Sequence, residues 1–170
     1  MRPNLLVLNA SIGGAHGNTA SALTVAHRWL RRRSTVTTVV LDDHTSFDTV
    51  RPALAAAQGF VIGTGIHWDS WSSRLQRLLE AATPTEATSL WLGKPAACVV
   101  TEHSVGGKAV LSRLQGVLVT LGCEIPPMSG LVLSRATRTA AASDRAAARD
   151  YWGPDDLRVV CHNLIEAVNG

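Results

Sequence analysis

Short apolar runs alternate with stretches of helical period along the chain. Five runs lack polar alternation, which is typical of strands buried on both faces of a sheet. Between them, apolar residues recur every three or four positions, the period of an amphipathic helix. The predicted strands are 5–10, 35–41, 60–65, 95–101 and 130–134. The predicted helices cover about 18–33, 50–58, 71–82, 110–121 and 154–168.

The order of these elements predicts the fold. Buried strands separated by amphipathic helices indicate an α/β protein whose parallel sheet is covered on both faces. Right-handed crossovers favour a three-layer, doubly wound, five-stranded sheet of the flavodoxin-like form, with strand order 2-1-3-4-5. The length of 170 residues is that of one ordinary domain, so we expect a single domain over 1–170.

Two segments, 83–94 and 135–153, do not fit the alternation. We expect both to be excursions over the surface, and the second is rich enough in Ala and Arg to be partly helical. Trp91, Tyr151 and Trp152 lie in these excursions, and we expect them to serve an interface rather than the core.

Composition narrows the class of protein. Apolar residues make up 46% and charged residues 17% of the chain, as in globular rather than disordered proteins. The three cysteines form no C-x-x-C pair, which argues against a disulfide framework and for a reducing compartment. No apolar run reaches the roughly 18 residues of a membrane span, and the first run is too short for a signal peptide. We therefore expect a cytoplasmic protein that does not enter membranes.

The net charge of +3 does not indicate nucleic acid as a partner. Such a partner needs basic residues gathered on one face. The only dense cluster, Arg28 with 31–33, falls where the first helix should end, and cations there complement the negative end of the helix dipole.

Polar loops follow the first, third and fourth predicted strands. Ligands of open parallel sheets bind outside the carboxyl ends of the strands, where the connections change direction. This rule selects 10–19, 64–71 and 101–108, which are rich in Gly, Ser, Thr, His and Trp. We therefore expect a ligand to lie between these three loops.

The first loop, ASIGGAHGNTA, has neither a G-x-G-x-x-G pattern nor a G-K-[ST] ending. It offers Ser11, three glycines and the pair Asn18-Thr19, which opens a helix whose free N–H groups favour a phosphate. The alternative is that Asn18 only caps the helix and the glycines only form a turn. A cap needs one residue and not a long polar loop, so we favour phosphate binding.

The other two loops suit a flat ring. In GTGIHWDSWSSRL, Trp68 has no core position and is a candidate support for a planar group, whereas Trp71 begins the apolar face of the next helix. Ser70 is a candidate N-cap of that helix. In TEHSVGGKAVL, the N–H groups of Gly106 and Gly107 could face ring carbonyls or nitrogens, or the pair could only form a turn.

One histidine falls in each loop: His16, His67 and His103. Three imidazoles could hold zinc, but their spacing is not that of a zinc motif, and the surrounding Gly and Trp suit an organic ring better. No Ser-His-Asp order, G-x-S-x-G elbow or paired carboxylate is evident. We therefore predict no metal and no catalytic side chain.

Three motifs, taken together with their order and spacing, carry a resemblance over about 4–134. They are N-L-L-V-L-N-A-S-x(5)-G-N-T, then G-F-V-I-G-T-G-I-H-W-D-S-W-S-S-R-L-Q-R-L-L-E, and then L-G-K-P-A-A-C-V-V-T-E-H-S-V-G-G with L-x-T-L-G. This series resembles the NADPH-dependent FMN reductase family of flavodoxin-like proteins. The resemblance implies FMN at the carboxyl edge of the sheet, with its phosphate on the first loop and its ring between the other two. The implied FMN-binding residues are Ser11, His16, Gly17, Asn18 and Thr19, then Thr64, Ile66, His67 and Trp68, and then Thr101, Glu102, His103, Gly106 and Gly107.

The resemblance also implies an activity. A flavin-dependent oxidoreductase would take a hydride from NADPH or NADH and pass electrons to a second small-molecule acceptor, such as free flavin or a quinone, in a homodimer or homotetramer. The flavin carries this chemistry, so no side-chain nucleophile is required. Two other functions stay open: a flavodoxin-type electron carrier, although such carriers are usually strongly acidic, and a non-catalytic flavin-binding module.

The chain departs from the family pattern at two places. Family members often carry a basic residue soon after the serine of the first loop and a proline after the threonine of the second. Here those places hold Ile12 with Gly13, and Gly65. The first difference predicts weaker binding of phosphate, and the second a looser wall beside the flavin.

Overall fold

The computed structural model describes residues 1–144 and 151–170. Their five strands form one parallel sheet in the order β2-β1-β3-β4-β5, which confirms the predicted fold. The strands are β1 (Asn4–Asn9), β2 (Thr35–Val40), β3 (Gly59–Gly65), β4 (Ala96–Glu102) and β5 (Gly130–Ser134). The helices are α1 (Asn18–Leu30), α2 (Phe47–Ala56), α3 (Ser73–Ala82), α4 (Gly107–Leu121), α5 (Arg135–Ser143) and α6 (Leu157–Asn169).

Two cores lie on the two faces of the sheet because successive strand side chains point to opposite faces. In β1, Leu5 and Val7 contact the core under α1 and α6, whereas Leu6 and Leu8 contact the core under α2, α3 and α4. The three central strands are buried almost throughout, and the edge strand β2 is largely exposed. The uninterrupted apolar runs thus reflect burial on both faces.

Helix boundaries differ from the predicted ones where a serine cap was overlooked. Helix α2 begins at Phe47 rather than at 50, because the Ser46 hydroxyl accepts from the Thr49 N–H. Helix α3 is capped by Ser72, whose hydroxyl accepts from the Leu75 N–H, and not by Ser70. Helix α1 ends at Leu30 rather than at 33, with Arg28 in its last turn, so the arginine cluster lies at the helix end as expected.

Trp91 is a core residue, and its predicted role at an interface is wrong. Its side chain is 1% exposed, and its ring lies 5.6 Å from that of Phe60, centroid to centroid. Burial is tolerated because the indole Nε1–H donates to the Thr85 hydroxyl at 2.9 Å. The excursion 83–94 therefore folds back onto the sheet.

The second excursion, 135–153, is partly helical, as expected, because α5 occupies its beginning. Its part over 145–150 lies outside the described residues. Tyr151 and Trp152 are partly exposed. No helix within residues 1–144 and 151–170 is both long and apolar enough to cross a membrane.

Candidate functional site

The loops after β1, β3 and β4 meet at the carboxyl edge of the sheet and enclose a cleft of about 280 Å³. The start of α5 closes one side of this cleft. The predicted residues that line it are Ser11, Gly17, Asn18, Thr19, Ile66, His67, Thr101, Glu102 and His103. The lining residues that were not predicted are Ile12, Gly13, Gly65 and Arg135.

Asn9, the last residue of β1, holds the first loop in shape. Its Oδ1 accepts from the N–H and the hydroxyl of Ser11, at 3.1 and 2.8 Å, and its Nδ2 donates to the Gly14 carbonyl at 2.8 Å. The side chain is buried, so these bonds replace water that it cannot reach. Sequence reasoning missed this residue, although a polar side chain ending an apolar run was the available signal.

Arg74, in the first turn of α3, clamps the same loop from outside the cleft. Its Nη1 donates to the carbonyls of Ser11, Ile12 and Leu41 at 3.1, 3.1 and 3.2 Å. Its Nε and Nη2 donate to the two carboxylate oxygens of Asp43 at 3.1 and 3.2 Å. The Arg74 guanidinium lowers the pKa of Asp43, so this partner stays charged down to low pH.

The clamp sets the direction of two peptide groups. In a planar trans peptide the C=O and the following N–H point in opposite directions. Carbonyls of Ser11 and Ile12 directed at Arg74 therefore turn the N–H groups of Ile12 and Gly13 away from it. Both residues line the cleft, and among the described residues neither N–H has an acceptor.

The start of α1 adds further free donors. Its N-cap is Gly17, which offers no side-chain cap, and the N–H groups of Asn18 and Thr19 have no acceptor among residues 1–144 and 151–170. A Cβ on Gly13 would come within 3.0 Å of the Gly17 Cα, so the loop closes tightly only with glycine there. Free N–H groups at a helix start favour an anion.

Two threonine hydroxyls join the first and third loops at the bottom of the cleft. The Oγ1 atoms of Thr19 and Thr101 lie 2.7 Å apart, and both residues are buried. One hydroxyl donates to the other, which leaves one hydroxyl hydrogen for a ligand.

The second loop forms a two-residue hairpin turn. His67 and Ser70 exchange both backbone N–H···O=C bonds, at 2.8 and 3.1 Å, around Trp68 and Asp69. Both central residues have positive φ, 49° and 57°, as a type I′ turn requires. A tryptophan in this region is uncommon and strained. Its side chain is 101% exposed, so Trp68 stands on the rim and not on the cleft wall.

The Gly106–Gly107 pair forms a tight start to α4. Gly106 has φ +95°, and a Cβ there would lie 2.8 Å from the Asp69 Oδ1. The Gly107 N–H donates to the Glu102 Oε2 at 2.6 Å. This N–H is directed at the protein's own carboxylate, so the geometry favours the turn interpretation of the pair.

Five predicted residues do not line the cleft: His16, Thr64, Trp68, Gly106 and Gly107. His16 is exposed, and Thr64 is buried with its Oγ1 accepting from the Ser72 N–H at 3.1 Å. The loop histidines are thus divided, with only His67 and His103 at the cleft. Within the described part of the chain no three His, Cys, Asp or Glu side chains form a group that could hold a metal.

Comparisons with known proteins identify relatives. The family model described as NADPH-dependent FMN reductase matches residues 3–138. A search of the curated proteins found no match.

Among solved structures, an NADH:FMN oxidoreductase (EMOB) in its apo form is 16% identical with a TM-score of 0.71, over 97% of this chain and 89% of that one. The NAD(P)H:(acceptor) oxidoreductase FerB from Paracoccus denitrificans is 15% identical with a TM-score of 0.72, over 98% and 97%. The flavodoxin WrbA-like protein from Agrobacterium tumefaciens is 15% identical with a TM-score of 0.72, over 98% of each chain. These structural likenesses show the fold.

Proposed function

The chain belongs to the NADPH-dependent FMN reductase family and is an NAD(P)H-dependent flavoprotein oxidoreductase, and from this premise we propose that it binds FMN in the cleft at the carboxyl edge of the sheet. The observation that carries the proposal is the set of free donors at the first loop and the start of α1. An anion of phosphate size satisfies such donors without help from a loop lysine or arginine.

The FMN phosphate would lie against the N–H groups of Ile12, Gly13, Asn18 and Thr19. Arg135 supplies the positive charge that the first loop lacks, because it is the one Lys or Arg among the described residues that lines the cleft. This cation offsets the missing basic residue after Ser11. We therefore expect tight phosphate binding despite the departure at Ile12 and Gly13.

The remaining walls would hold the ribityl chain and ring. The free hydroxyl hydrogen of the Thr19–Thr101 pair suits a ribityl oxygen, and Ile66 gives an apolar contact beside it. Trp68 and His103 would flank the ring at the rim. When bound, FMN supplies the ability to accept a hydride from NAD(P)H and to return electrons to a second acceptor.

The predicted residues that do not line the cleft would act by positioning the residues that do. Thr64 orders the second loop by accepting from Ser72, and Gly106 and Gly107 let the third loop approach Asp69 and Glu102. His16 ends the short helical turn before Gly17, where it would lie near the phosphate.

Three further proposals follow from family membership: a homodimer or homotetramer, a cytoplasmic location and a single domain over 1–170. Exposed Ile12, Trp68 and Val105 lie in the three loops of the cleft, and exposed apolar side chains grouped at one edge favour association there. Light scattering of the purified protein tests the oligomer, and the W68A variant should shift it toward monomer.

A visible spectrum of the purified protein tests the proposed function. FMN should give a saturable, shifted flavin band, which NADPH or NADH bleaches without oxygen. The Ser11→Ala variant should bind FMN several-fold more weakly, because it removes the hydroxyl that donates to Asn9 and helps to hold the first loop in shape, whereas Ser112→Ala on the exposed face of α4 should bind as the wild type does. Protein that gains no flavin band contradicts the proposal. A band that neither nicotinamide bleaches favours a non-catalytic module or a one-electron carrier.

A further inference from the structure

A groove of about 660 Å³ runs between α1 and α5 beside the cleft. Its residues recur at three- and four-residue spacing on each helix, so one face of α1 opposes one face of α5. From α1 they are Asn18, Ser21, Ala22 and Val25, from α5 they are Arg135, Arg138, Thr139 and Ala142, and Thr101, Glu102, Leu133 and Pro154 complete the lining. Each helix contributes a stretch of eight residues, which makes the groove about 10 Å long.

The groove continues from the end of the cleft where the phosphate would lie. Asn18, Thr101, Glu102 and Arg135 line both spaces. The start of α5 is held in place because the Ala136 N–H donates to the His103 carbonyl at 2.9 Å. A ligand in the cleft can therefore extend past its phosphate into the groove without displacing a helix.

The charges of the groove favour an anion. Arg135 and Arg138 stand three residues apart on one face of α5, and neither has an ion pair within residues 1–144 and 151–170. Glu102 is the only lining carboxylate in this part of the chain, and its Oε2 is held by the Gly107 N–H. Arginine is well suited to phosphate because its guanidinium donates in pairs.

The floor of the groove favours a flat apolar group. Four residues of its lining are apolar: Ala22, Val25, Leu133 and Pro154. A ligand that combines phosphates with a planar base would satisfy both the arginines and this floor.

We propose that the groove between α1 and α5 binds the adenosine diphosphate part of a dinucleotide, with Arg135 and Arg138 on the phosphates and the adenine on the apolar floor. The proposal rests on the proposed function, because the groove starts at the phosphate end of the flavin cleft. Two dinucleotides carry this chemistry: FAD bound in place of FMN, or NAD(P)H as the reductant.

Calorimetric titration with ADP tests the groove directly. Wild-type protein should bind ADP saturably, and Arg138→Gln should weaken that binding about tenfold, the effect of one lost charged contact. Arg28→Gln, an exposed arginine on α1 outside the groove, should bind ADP as the wild type does. Absence of saturable binding, or equal binding by Arg138→Gln and wild type, overturns the proposal.

The same variant distinguishes the two sources. If FAD fills the groove, Arg138→Gln weakens FAD about tenfold and leaves FMN and the KM for NADPH unchanged. If the reductant fills it, the KM for NADPH rises and both flavins bind normally. ADP binding with neither change overturns the dinucleotide assignment. Protein that binds ADP through Arg138 but takes up no flavin overturns the proposed function and leaves the groove as an ADP site.

Discussion

At the scale of single residues, the first loop depends on a side chain that lies outside it. Arg74 brings five donor contacts to carbonyls and to one carboxylate, and its side chain is only 13% exposed. Two of the carbonyls it binds, those of Ser11 and Ile12, belong to the peptide groups whose N–H, on Ile12 and Gly13, has no acceptor among the described residues. The clamp therefore orients N–H groups that would face the proposed phosphate, although Arg74 itself does not line the cleft.

Arg74→Gln should weaken FMN binding about tenfold, because glutamine cannot hold two loop carbonyls and Asp43 together. Fluorescence titration of FMN measures the effect, and the free energy of unfolding should also fall. Arg77→Gln is the matched control, since Arg77 also contacts Asp43 but reaches no first-loop carbonyl. Equal flavin affinity in Arg74→Gln and Arg77→Gln would show that the clamp does not orient the loop.

The charge of Asp43 determines how the Arg74 clamp should respond to pH. The folded state lowers the pKa of Asp43, so its contribution to stability is present above the ordinary carboxyl value of 3.8 and is lost as the pH falls through the lowered value. Between pH 5 and 8 the clamp should stay closed. A step in FMN affinity in that range that Asp43→Asn abolishes would contradict this prediction.

Trp68 has a strained backbone and a fully exposed side chain, so a contribution to stability does not explain why tryptophan occupies this position. In the monomer, Trp68→Asn should raise the free energy of unfolding by about 1 kcal/mol, because asparagine suits the left-handed position and the exposed indole buries no surface within the chain. The same variant should bind FMN several-fold more weakly, because the ring loses its aromatic neighbour. Trp152→Asn, another exposed tryptophan, should leave FMN binding unchanged. Unfolding that shows Trp68→Asn to be less stable would indicate that the indole supports the turn.

At the scale of elements, the start of α4 joins the second and third loops. Gly106 takes φ +95° and lies against Asp69, while Glu102 accepts from the next N–H. The backbone of Asp69 is also held, because its carbonyl accepts from Arg113 of α4. The turn at Trp68 and the helix start therefore form one connected wall.

The glycine that caps the start of α4 and a glycine inside α4 should respond to alanine in opposite ways. Gly106→Ala should destabilise the protein by about 1–3 kcal/mol, because the left-handed conformation and the Asp69 contact both resist a Cβ. Gly116→Ala, at an exposed interior position with open space around it, should stabilise by about 0.5–1 kcal/mol. Urea unfolding of the two variants measures both changes. A neutral Gly106→Ala would show that the helix start relaxes freely.

Local sequence patterns predicted the strands and helices because burial determines where these elements form. The uninterrupted runs that became β1, β3 and β4 are buried on both faces, and this property is visible in the sequence. Boundaries set by one hydrogen bond were not predicted, as the Ser46 and Ser72 caps show. The burial of Trp91 was not predicted because it depends on two other residues. Thr85 accepts a hydrogen bond from the indole N–H, and Phe60 packs against the ring.

The three loops of the candidate site were located by a rule of sheet topology, not by a motif alone. The side chains that support them were missed because they come from distant positions. Arg74 contacts Ser11 across 63 residues, and Arg135, which directly follows β5, lines the cleft together with residues that lie far from it in the chain. No local spacing encodes such contacts, since they exist only once the sheet has assembled.

At the scale of the whole molecule, both cores contain cysteine. Cys98 and Cys123 lie in the core under α2, α3 and α4, and Cys161 lies in the core under α1 and α6. Burial raises the pKa of Cys123 and of Cys161 to about 12, and it raises that of Cys98 as well. Since the thiolate is the reactive form, all three should be inert until their core opens.

A thiol reagent at pH 8 should therefore measure opening of the two cores. Native protein should react slowly at all three cysteines, and denatured protein quickly, because the unfolded pKa is near 9.0. The same difference in pKa should make the protein less stable in alkali. The contribution of the protonated thiols to the free energy of unfolding is complete below pH 9 and is lost as the pH rises toward 12. Each thiol accounts for roughly 1.4 kcal/mol per pH unit. Cys161→Ala should make the fall of the unfolding free energy with pH less steep by the contribution of one thiol, because it removes one of the three. Every other titrating group is the same in the variant and the wild type. Urea unfolding between pH 8 and 11 measures the two slopes, and identical slopes would mean that Cys161 ionises as readily folded as unfolded.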